Sequence, residues 1–173
     1  MPLHRFFTPK GMYSAEDKAA ISAAVTGVYA SLPKFYVVVL FIELDPDSFF
    51  VGGKSTDNFL RIAAEHYARN FSELVKIYLM QREIATPETD YINNPSDKHK
   101  RDFMNRYEKA LEKFTKERGI DWEVQITDAD RTLWNENGMA PPLPDTEEEH
   151  IWKRENRAVS PEEIEVLKTQ GKS

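Results

Sequence analysis

Residues 36–43 read Tyr-Val-Val-Val-Leu-Phe-Ile-Glu, a short run of aromatic and aliphatic side chains that ends at Glu43. Because β-branched and aromatic residues favour strands, a run without polar alternation predicts a strand that is buried on both faces. Pro33 lies before the run and ends a helical pattern. The apolar residues of that pattern recur at the spacing of one helix face: Ile21, Ala24, Val25 and Val28. This spacing predicts a helix with one buried stripe.

The segment before this helix supplies a third element. Residues 3–7 predict a short strand, and a turn containing Pro9 and Gly11 follows it. Ser14 predicts the helix N-cap, with acidic residues in the first turn, where they interact favourably with the helix dipole. The first 43 residues therefore predict a strand, a helix and a second strand, which is a βαβ unit.

The chain then repeats this pattern with an added helix. Residues 49–53 predict a tight hairpin that closes the first unit, which spans about residues 2–53. Strands are predicted at 59–67 and 122–127, and helices at 72–84 and 96–118. We expect a second unit over about residues 57–128, with a helical insertion over about residues 72–118. Both units belong to a single domain over residues 1–173.

The last part of the chain gives a weaker pattern. A short helical stretch through Trp134 precedes a turn rich in proline at residues 141–144. Residues 145–173 are strongly charged and show little apolar periodicity. We therefore expect this C-terminal tail to wrap a neighbouring chain or to stay mobile.

Composition excludes several classes of function. The 173 residues carry a net charge of −6, which argues against nonspecific binding of nucleic acid. The chain contains no cysteine, and its four histidines lack metal-ligand spacing, so we expect neither a metal nor a disulfide. The longest apolar run is too short to span a bilayer, and no signal peptide is visible. We expect a cytoplasmic protein without membrane contact.

The ordered combination of five features resembles the tautomerase superfamily. These are Pro2, the strand at 36–43, Phe-Val-Gly-Gly at 50–53, His-Tyr-Ala-Arg at 66–69, and Trp122 followed by Glu-Asn-Gly at 136–138. Within the superfamily the chain resembles the cis-3-chloroacrylic acid dehalogenase-like group, in particular its fungal oxalocrotonate tautomerase type, over about residues 2–156. The resemblance implies an α/β (α+β) fold of two fused βαβ units, with a four-stranded sheet and helices on one face. It also implies a homotrimer and chemistry without a cofactor.

The resemblance also implies roles for particular residues. The N-terminal proline of the family, which acts as base or acid, falls on Pro2, and the glutamate that activates water falls on Glu136. The second of two carboxylate-binding arginines falls on Arg69, with Arg61 and Arg5 as rivals. Three positions depart from the family pattern: His66 replaces the first arginine, Tyr29 replaces a histidine, and Val124 replaces a tyrosine.

The residue types suit this chemistry on their own terms. We expect Met1 to be removed, because the residue behind it is small. Pro2 then carries a secondary amine, and an unperturbed α-amino group has a pKa of about 7.7–8.0. A general base works best when its pKa lies near the working pH. An arginine such as Arg69 presents a planar fork that matches a carboxylate.

Three hypotheses follow. The first is a tautomerase or isomerase of small 2-oxo acids, in which Pro2 moves the proton while Arg69 and His66 steady the enolate; Tyr29 adds a hydroxyl. The second is a hydratase, dehalogenase or decarboxylase of unsaturated three-carbon acids, with a cationic Pro2 and water activated by Glu136. The third is a trimeric binding protein without catalysis, motivated by the three departures. A Pro2 pKa near or below neutral favours the first, and a pKa well above 8 favours the second.

Overall fold

The computed structural model describes residues 1–68 and 95–170. Six strands are present in this part of the chain: β1 (Pro2–Pro9), β2 (Val38–Leu44), β3 (Phe50–Val51), β4 (Lys54–Ser55), β5 (Phe59–His66) and β6 (Asp121–Asp128). Four α-helices accompany them: α1 (Ala15–Val28), α2 (Pro95–Leu111), α3 (Glu147–Glu155) and α4 (Pro161–Gln170). No described helix is both long and apolar enough to cross a membrane.

Four strands form one mixed sheet in the order β2-β1-β5-β6. β1 runs parallel to β2 and antiparallel to β5, and β5 runs parallel to β6. Each parallel pair is the strand pair of one predicted βαβ unit, and the antiparallel contact between β1 and β5 joins the units. The predicted four-stranded α+β fold is confirmed. The predicted hairpin at residues 49–53 is also present, as the β3-β4 pair.

Helix α1 begins where the sequence predicts. The Ser14 side chain accepts a hydrogen bond from the Asp17 backbone N–H, and the Asp17 carboxylate accepts one from the Ser14 N–H. This capping box satisfies two backbone donors that the helix cannot satisfy itself. The helix buries Ile21 and Val25 of the predicted stripe and ends at Val28, with Tyr29 as its C-cap. Tyr29 therefore lies at the point where the chain leaves the helix.

Period-two alternation divides the sheet into two faces. On β1 and β5 the buried side chains, such as Phe6, Leu60 and Ile62, face the helices and form the core with them. The intervening residues, such as Arg5 and Arg61, lie on the other face, which we call the open face.

The prediction of a fully buried strand at residues 36–43 is wrong. The strand begins at Val38, after a 3-10 turn over Lys34–Tyr36. Among the described strands it pairs with β1 alone, so it lies at the edge of the sheet. Val39 and Phe41 pack against the core, whereas Leu40 lies on the open face with 44% of its surface exposed. The strand is apolar on both faces, and the described part of the chain covers one of them.

The C-terminal segment differs from the expected loose tail. Residues 145–170 contain α3 and α4, and this segment buries Ile151, Trp152, Val159 and Ile164 in the core of the same chain. The Trp152 indole N–H also donates a hydrogen bond to the Val159 carbonyl oxygen over 2.9 Å. Few apolar residues lie in this segment, but they are large, so the packing does not require a long periodic pattern.

The remaining helix predictions divide into two cases. The predicted helix over 96–118 forms as α2, followed by two short 3-10 turns that end at Arg118. The predicted helix over 72–84 lies outside the described residues.

Candidate active site

Pro2 lies at the start of β1, one of the two inner strands, beside the end of β5. Its side chain is buried, and it pairs in register with His66. Both residues line a small cavity together with Tyr29, Leu32 and Ala68. The cavity measures about 10 Å³, which is close to the space that one water molecule needs. Three predicted site residues, Pro2, Tyr29 and His66, are therefore brought together by the fold.

Tyr29 and His66 form a buried hydrogen-bonded pair. The Tyr29 hydroxyl lies 2.7 Å from His66 Nε2, and either atom can donate, depending on the imidazole tautomer. Burial lowers the pKa of His66 to about 4, even though the Asp128 carboxylate opposes the shift, and the N-terminal charge lowers it further. Burial also raises the pKa of Tyr29 above its usual range. Both side chains are consequently neutral at neutral pH.

A second histidine lies two residues along β1 on the same face. His4 Nδ1 lies 3.0 Å from the Tyr107 hydroxyl of α2, and the two rings stack at 5.5 Å. Burial lowers the pKa of His4 to about 3, with a further contribution from His66. Among the described residues, His4 Nε2 has no hydrogen-bond partner. Phe103 completes this cluster by packing against both His66 and Tyr29.

The sequence analysis did not single out His4, Phe103 or Tyr107. The alternation along β1 could have revealed His4, since residues 2 and 4 of a strand share a face. Nothing in the local sequence shows that α2 faces this part of the sheet, because that contact joins residues 103 positions apart.

Glu136 lies in a tight turn beyond β6. Backbone hydrogen bonds in both directions link it to Met139, and Asn137 and Gly138 take positive φ angles of 50° and 80° between them. The Trp134 indole N–H donates to the Glu136 carboxylate over 3.3 Å. Glu136 is half-buried and does not line the Pro2 cavity in the described part of the chain.

Arg131 connects this turn region to the cavity. Its guanidinium donates hydrogen bonds to the carbonyl oxygens of Ala68 at 3.2 Å, Pro141 at 3.0 Å and Pro142. Ala68 is a wall residue of the Pro2 cavity, so Arg131 fixes the cavity edge to the turn rich in proline. Sequence analysis did not single out Arg131, because backbone carbonyl partners leave no sequence pattern.

The predicted arginines have different outcomes. Arg69 lies outside the described residues. Arg61 lies on the open face, where it donates hydrogen bonds to Glu123 and to Gln125, the latter over 2.8 Å. Arg5 lies on the same face and pairs with Glu65 at 2.7 Å. Neither Arg5 nor Arg61 reaches the Pro2 cavity of its own chain, so a role at the site would require a neighbouring chain.

Two fused βαβ units that join in one four-stranded sheet, with the buried Pro2 at the start of an inner strand, are the arrangement expected of the tautomerase superfamily. The chain matches the family described as "Putative oxalocrotonate tautomerase enzyme" over residues 1–86 and 88–157. The chain therefore belongs to this tautomerase family.

Solved structures agree with this assignment. Native RhCC from Rhodococcus jostii RHA1 is 33% identical, with 91% of this chain and 99% of that chain covered and a TM-score of 0.72. A probable enzyme from the thermophilic fungus Aspergillus fumigatus is 32% identical over 92% of this chain and 97% of that chain, with a TM-score of 0.75. N1, a member of the cis-3-chloroacrylic acid dehalogenase family, shares the fold at 18% identity, with 88% and 96% covered and a TM-score of 0.59. The comparison with curated proteins gives no match.

Proposed function

We propose that the protein is a cofactor-free tautomerase of small 2-oxo carboxylic acids, with the amine of Pro2 as general base and acid. The observation that carries the proposal is the position of Pro2, which begins the inner strand β1 and lines a cavity with Tyr29 and His66. Among the described residues, no group of three metal-ligating side chains is placed to hold a metal ion.

Removal of Met1 is the first requirement. In the full chain the nitrogen of Pro2 is an amide nitrogen without basicity, and Met1 packs against the core while its carbonyl accepts a hydrogen bond from the Tyr67 N–H. Cleavage converts this nitrogen to a secondary amine and vacates the space that Met1 fills. An amine in an apolar cavity has a lowered pKa, since burial disfavours the ammonium form. The walls around Pro2 therefore favour a base that works near neutrality.

The proton transfer then follows from the cavity. Pro2 accepts the hydroxyl proton of a 2-hydroxy-2-enoic acid, the C–O bond gains double-bond character, and the ammonium of Pro2 returns a proton to C3. Charge develops on the oxygen during the step. We assign its stabilisation to a hydrogen bond donated by the Tyr29–His66 pair, which is uncharged at neutral pH.

The substrate carboxylate needs a cation, and we assign this role to Arg69. Arg69 directly follows Ala68 in the sequence, and Ala68 lines the Pro2 cavity. Arg61 and Arg5 remain rivals from the open face of a neighbouring chain.

The open face supports a homotrimer. It carries apolar side chains from β1 and β2 beside the ion pairs of Arg5 and Arg61, and no described element of the chain covers it. The edge strand β2, apolar on both faces, adds surface of the kind that a second chain buries. Three copies around an axis would cover these faces and bring Arg5 or Arg61 toward another chain's site.

One observation favours a second candidate, hydration or dehalogenation of an unsaturated three-carbon acid. The Trp134 indole and the tight turn hold the Glu136 carboxylate in a fixed orientation, as activation of water requires. In that reaction Pro2 would act as a cation that donates a proton to carbon.

Paired substitutions test the leading proposal through ketonisation of phenylenolpyruvate over a pH range. Intact mass should first show that the chain begins at Pro2. Pro2→Ala keeps an amine but loosens its geometry, so we expect mainly a lower kcat. Arg69→Ala removes a charge-assisted contact and should raise KM about 10- to 150-fold. Arg101→Ala, an exposed arginine on α2, is the matched control.

The outcomes separate the hypotheses. If Pro2→Ala retains the full rate and an unchanged pH profile, the amine is not the catalyst. If only Arg69→Ala is silent, Arg61 or Arg5 holds the carboxylate and the role of Pro2 survives. If the processed wild type converts neither 2-oxo nor unsaturated acids, the result favours the third hypothesis, a trimeric binding protein without catalysis.

A further inference from the structure

Tyr29 of the proposed site is surrounded by other aromatic rings. Helix α1 ends at Val28, so Tyr29 lies where no further helical turn holds the chain. Its ring centroid lies 5.4 Å, 5.5 Å and 5.6 Å from the centroids of three rings: His4, His66 and Phe103. The strands β1 and β5 and the helix α2 each supply one of these rings. The position of the Tyr29 hydroxyl therefore depends on how these neighbours are held.

The His4 imidazole is held by one hydrogen bond. The Tyr107 hydroxyl of α2 lies 3.0 Å from His4 Nδ1, and the planes of the two stacked rings differ by 18°. His4 is completely buried, and its Nε2 has no partner among the described residues. Since buried polar groups are normally hydrogen-bonded, the imidazole already has one nitrogen fewer in a bond than its surroundings require.

Without the Tyr107 hydroxyl, His4 would compete for the Tyr29 hydroxyl. Both imidazole nitrogens would then be buried and unpaired, and the ring could recover the lost free energy only by turning toward another polar group. The Tyr29 ring is 5.4 Å away and the His66 ring is 6.5 Å away. The Tyr29 hydroxyl lies 2.7 Å from His66 Nε2, so a His4 that turned toward this hydroxyl would draw it away from His66.

The proposed reaction depends on the direction of this hydroxyl. We assign to the Tyr29–His66 pair the hydrogen bond that stabilises charge on the reacting oxygen, and such a donor acts only when it is aimed at that oxygen. A misplacement of about 1 Å can lower a rate about 100-fold. A displaced Tyr29 hydroxyl would slow the chemical step, whereas the substrate carboxylate, which we assign to Arg69, would still be bound.

We propose that Tyr107 is a positioning residue for the tautomerase reaction: by holding His4, it keeps the Tyr29 hydroxyl on His66 and aimed at the reacting oxygen. Tyr107 does not line the Pro2 cavity, so it acts through His4 and Tyr29 and not on the substrate. This inference rests on the proposed tautomerase function, and it adds α2 to the elements that determine the rate.

Double-mutant cycles on kcat for phenylenolpyruvate test these contacts in the processed enzyme. Tyr107→Phe keeps the ring and removes only the hydroxyl, so we expect kcat to fall about 5- to 100-fold while KM changes less than about twofold. In a Tyr29→Phe background no hydroxyl can be drawn away, and in a His4→Phe background no ring nitrogen competes. In either background, adding Tyr107→Phe should therefore change kcat by less than about twofold.

Tyr13→Phe is the matched control. Tyr13 is buried, and its hydroxyl donates a hydrogen bond to the Phe114 carbonyl oxygen over 2.9 Å. The substitution removes a buried tyrosine hydroxyl away from Tyr29 and should leave kcat unchanged. Urea denaturation should first show that every variant is fully folded under the assay conditions.

Each result decides the proposal. A Tyr107→Phe enzyme with the wild-type kcat overturns it, and so does a loss that Tyr13→Phe reproduces. A loss that persists in the Tyr29→Phe or the His4→Phe background also overturns it, because Tyr107 then does not act through these residues.

A wild type that converts no enol acid would refute the tautomerase proposal, and NMR of the protein with labelled histidine nitrogens then tests the positioning by itself. We expect Tyr107→Phe to move the His66 Nε2 resonance in the wild-type background and to leave it in place in the His4→Phe background. A resonance that Tyr107→Phe moves in neither background, or in both, overturns the positioning role.

Discussion

The two faces of the four-stranded sheet treat polar side chains in opposite ways. On the helix-facing side, His4 and His66 are buried and pair with the neutral hydroxyls of Tyr107 and Tyr29. On the open face, charged side chains form ion pairs such as that of Arg5 with Glu65. Along β1 and β5, residues of the helix-facing side alternate with residues of the open face. The difference shows that exposure to water determines which polar groups remain charged, since burial disfavours the charged form of an unpaired group.

This division also separates the proposed tasks of the molecule. The helix-facing side of the sheet, which we call the closed face, supplies an uncharged cavity wall next to Pro2. Such a wall suits a base with a pKa near neutrality. The open face supplies apolar and ionic surface, which suits contact with other copies of the chain. One alternating strand, β1, contributes to both.

The largest expected effect concerns the open face. Leu40→Lys should convert an assembly of about three times the 20.0 kDa chain mass into monomers, measured by light scattering at micromolar concentration. Leu40 is 44% exposed in a single chain, so the monomer tolerates a lysine there. A trimer interface would bury the ammonium without a partner, which costs several kcal/mol.

Leu143→Lys is the control for this change, because Leu143 is 66% exposed and lies outside the sheet. A wild type that stays monomeric on concentration, or a Leu40→Lys variant that keeps the full assembly mass, would show that the open face is not the contact surface.

The second effect concerns the closed face and pH. The folded-state pKa of His66 is about 4 and that of His4 about 3, whereas both lie near 6.5 in the unfolded chain. Below pH 6.5 the unfolded chain therefore binds protons that the folded chain excludes, and stability falls as the pH falls. The free energy of unfolding in urea should drop by about 3–4 kcal/mol for the pair between pH 7 and pH 5.

Single histidine variants sharpen this result. His66→Gln removes one of the two buried titrating groups and should remove about half of the pH dependence. His150→Gln, at an exposed position, should leave it intact. A wild-type stability that is level between pH 7 and pH 5 would contradict the neutral, buried state of both histidines.

Sequence predicted the closed face better than the open one. Pro2 and the βαβ order were readable because strand alternation, helix capping and proline position are local signals. The exposed face of β2 could not be predicted, because residues 36–42 are apolar on both faces. Their pattern does not indicate which face a second layer covers. The contact of Tyr107 with His4 was also out of reach, since it depends on how α2 packs across the sheet.

The third effect compares two tyrosines whose hydroxyls bond to residues on opposite faces of the sheet, His4 and Glu65. Tyr107→Phe leaves His4 without its Nδ1 partner in a fully buried site, so we expect a loss of about 1–3 kcal/mol in unfolding free energy. Tyr67→Phe removes a bond of 2.9 Å to the partly exposed Glu65, where water can replace the hydroxyl. Its loss should be smaller, about 0.5–1.5 kcal/mol. Equal losses in urea denaturation would mean that burial does not distinguish the two bonds.

The smallest effect is expected at Arg61. The side chains of Arg61 and its partner Glu123 are 41% and 47% exposed, and such pairs contribute about 0–1 kcal/mol because water and salt screen them. Arg61→Ala should therefore lower the unfolding free energy of the monomeric Leu40→Lys background by less than about 1 kcal/mol, and added salt should reduce the difference further. Arg61→Ala in the assembled protein then measures how much neighbouring chains add to the loss of unfolding free energy. A loss much larger than in the monomer would place Arg61 in the interface. A rise in KM of tenfold or more with unchanged stability would instead place it at a neighbour's Pro2 site, as a rival to Arg69.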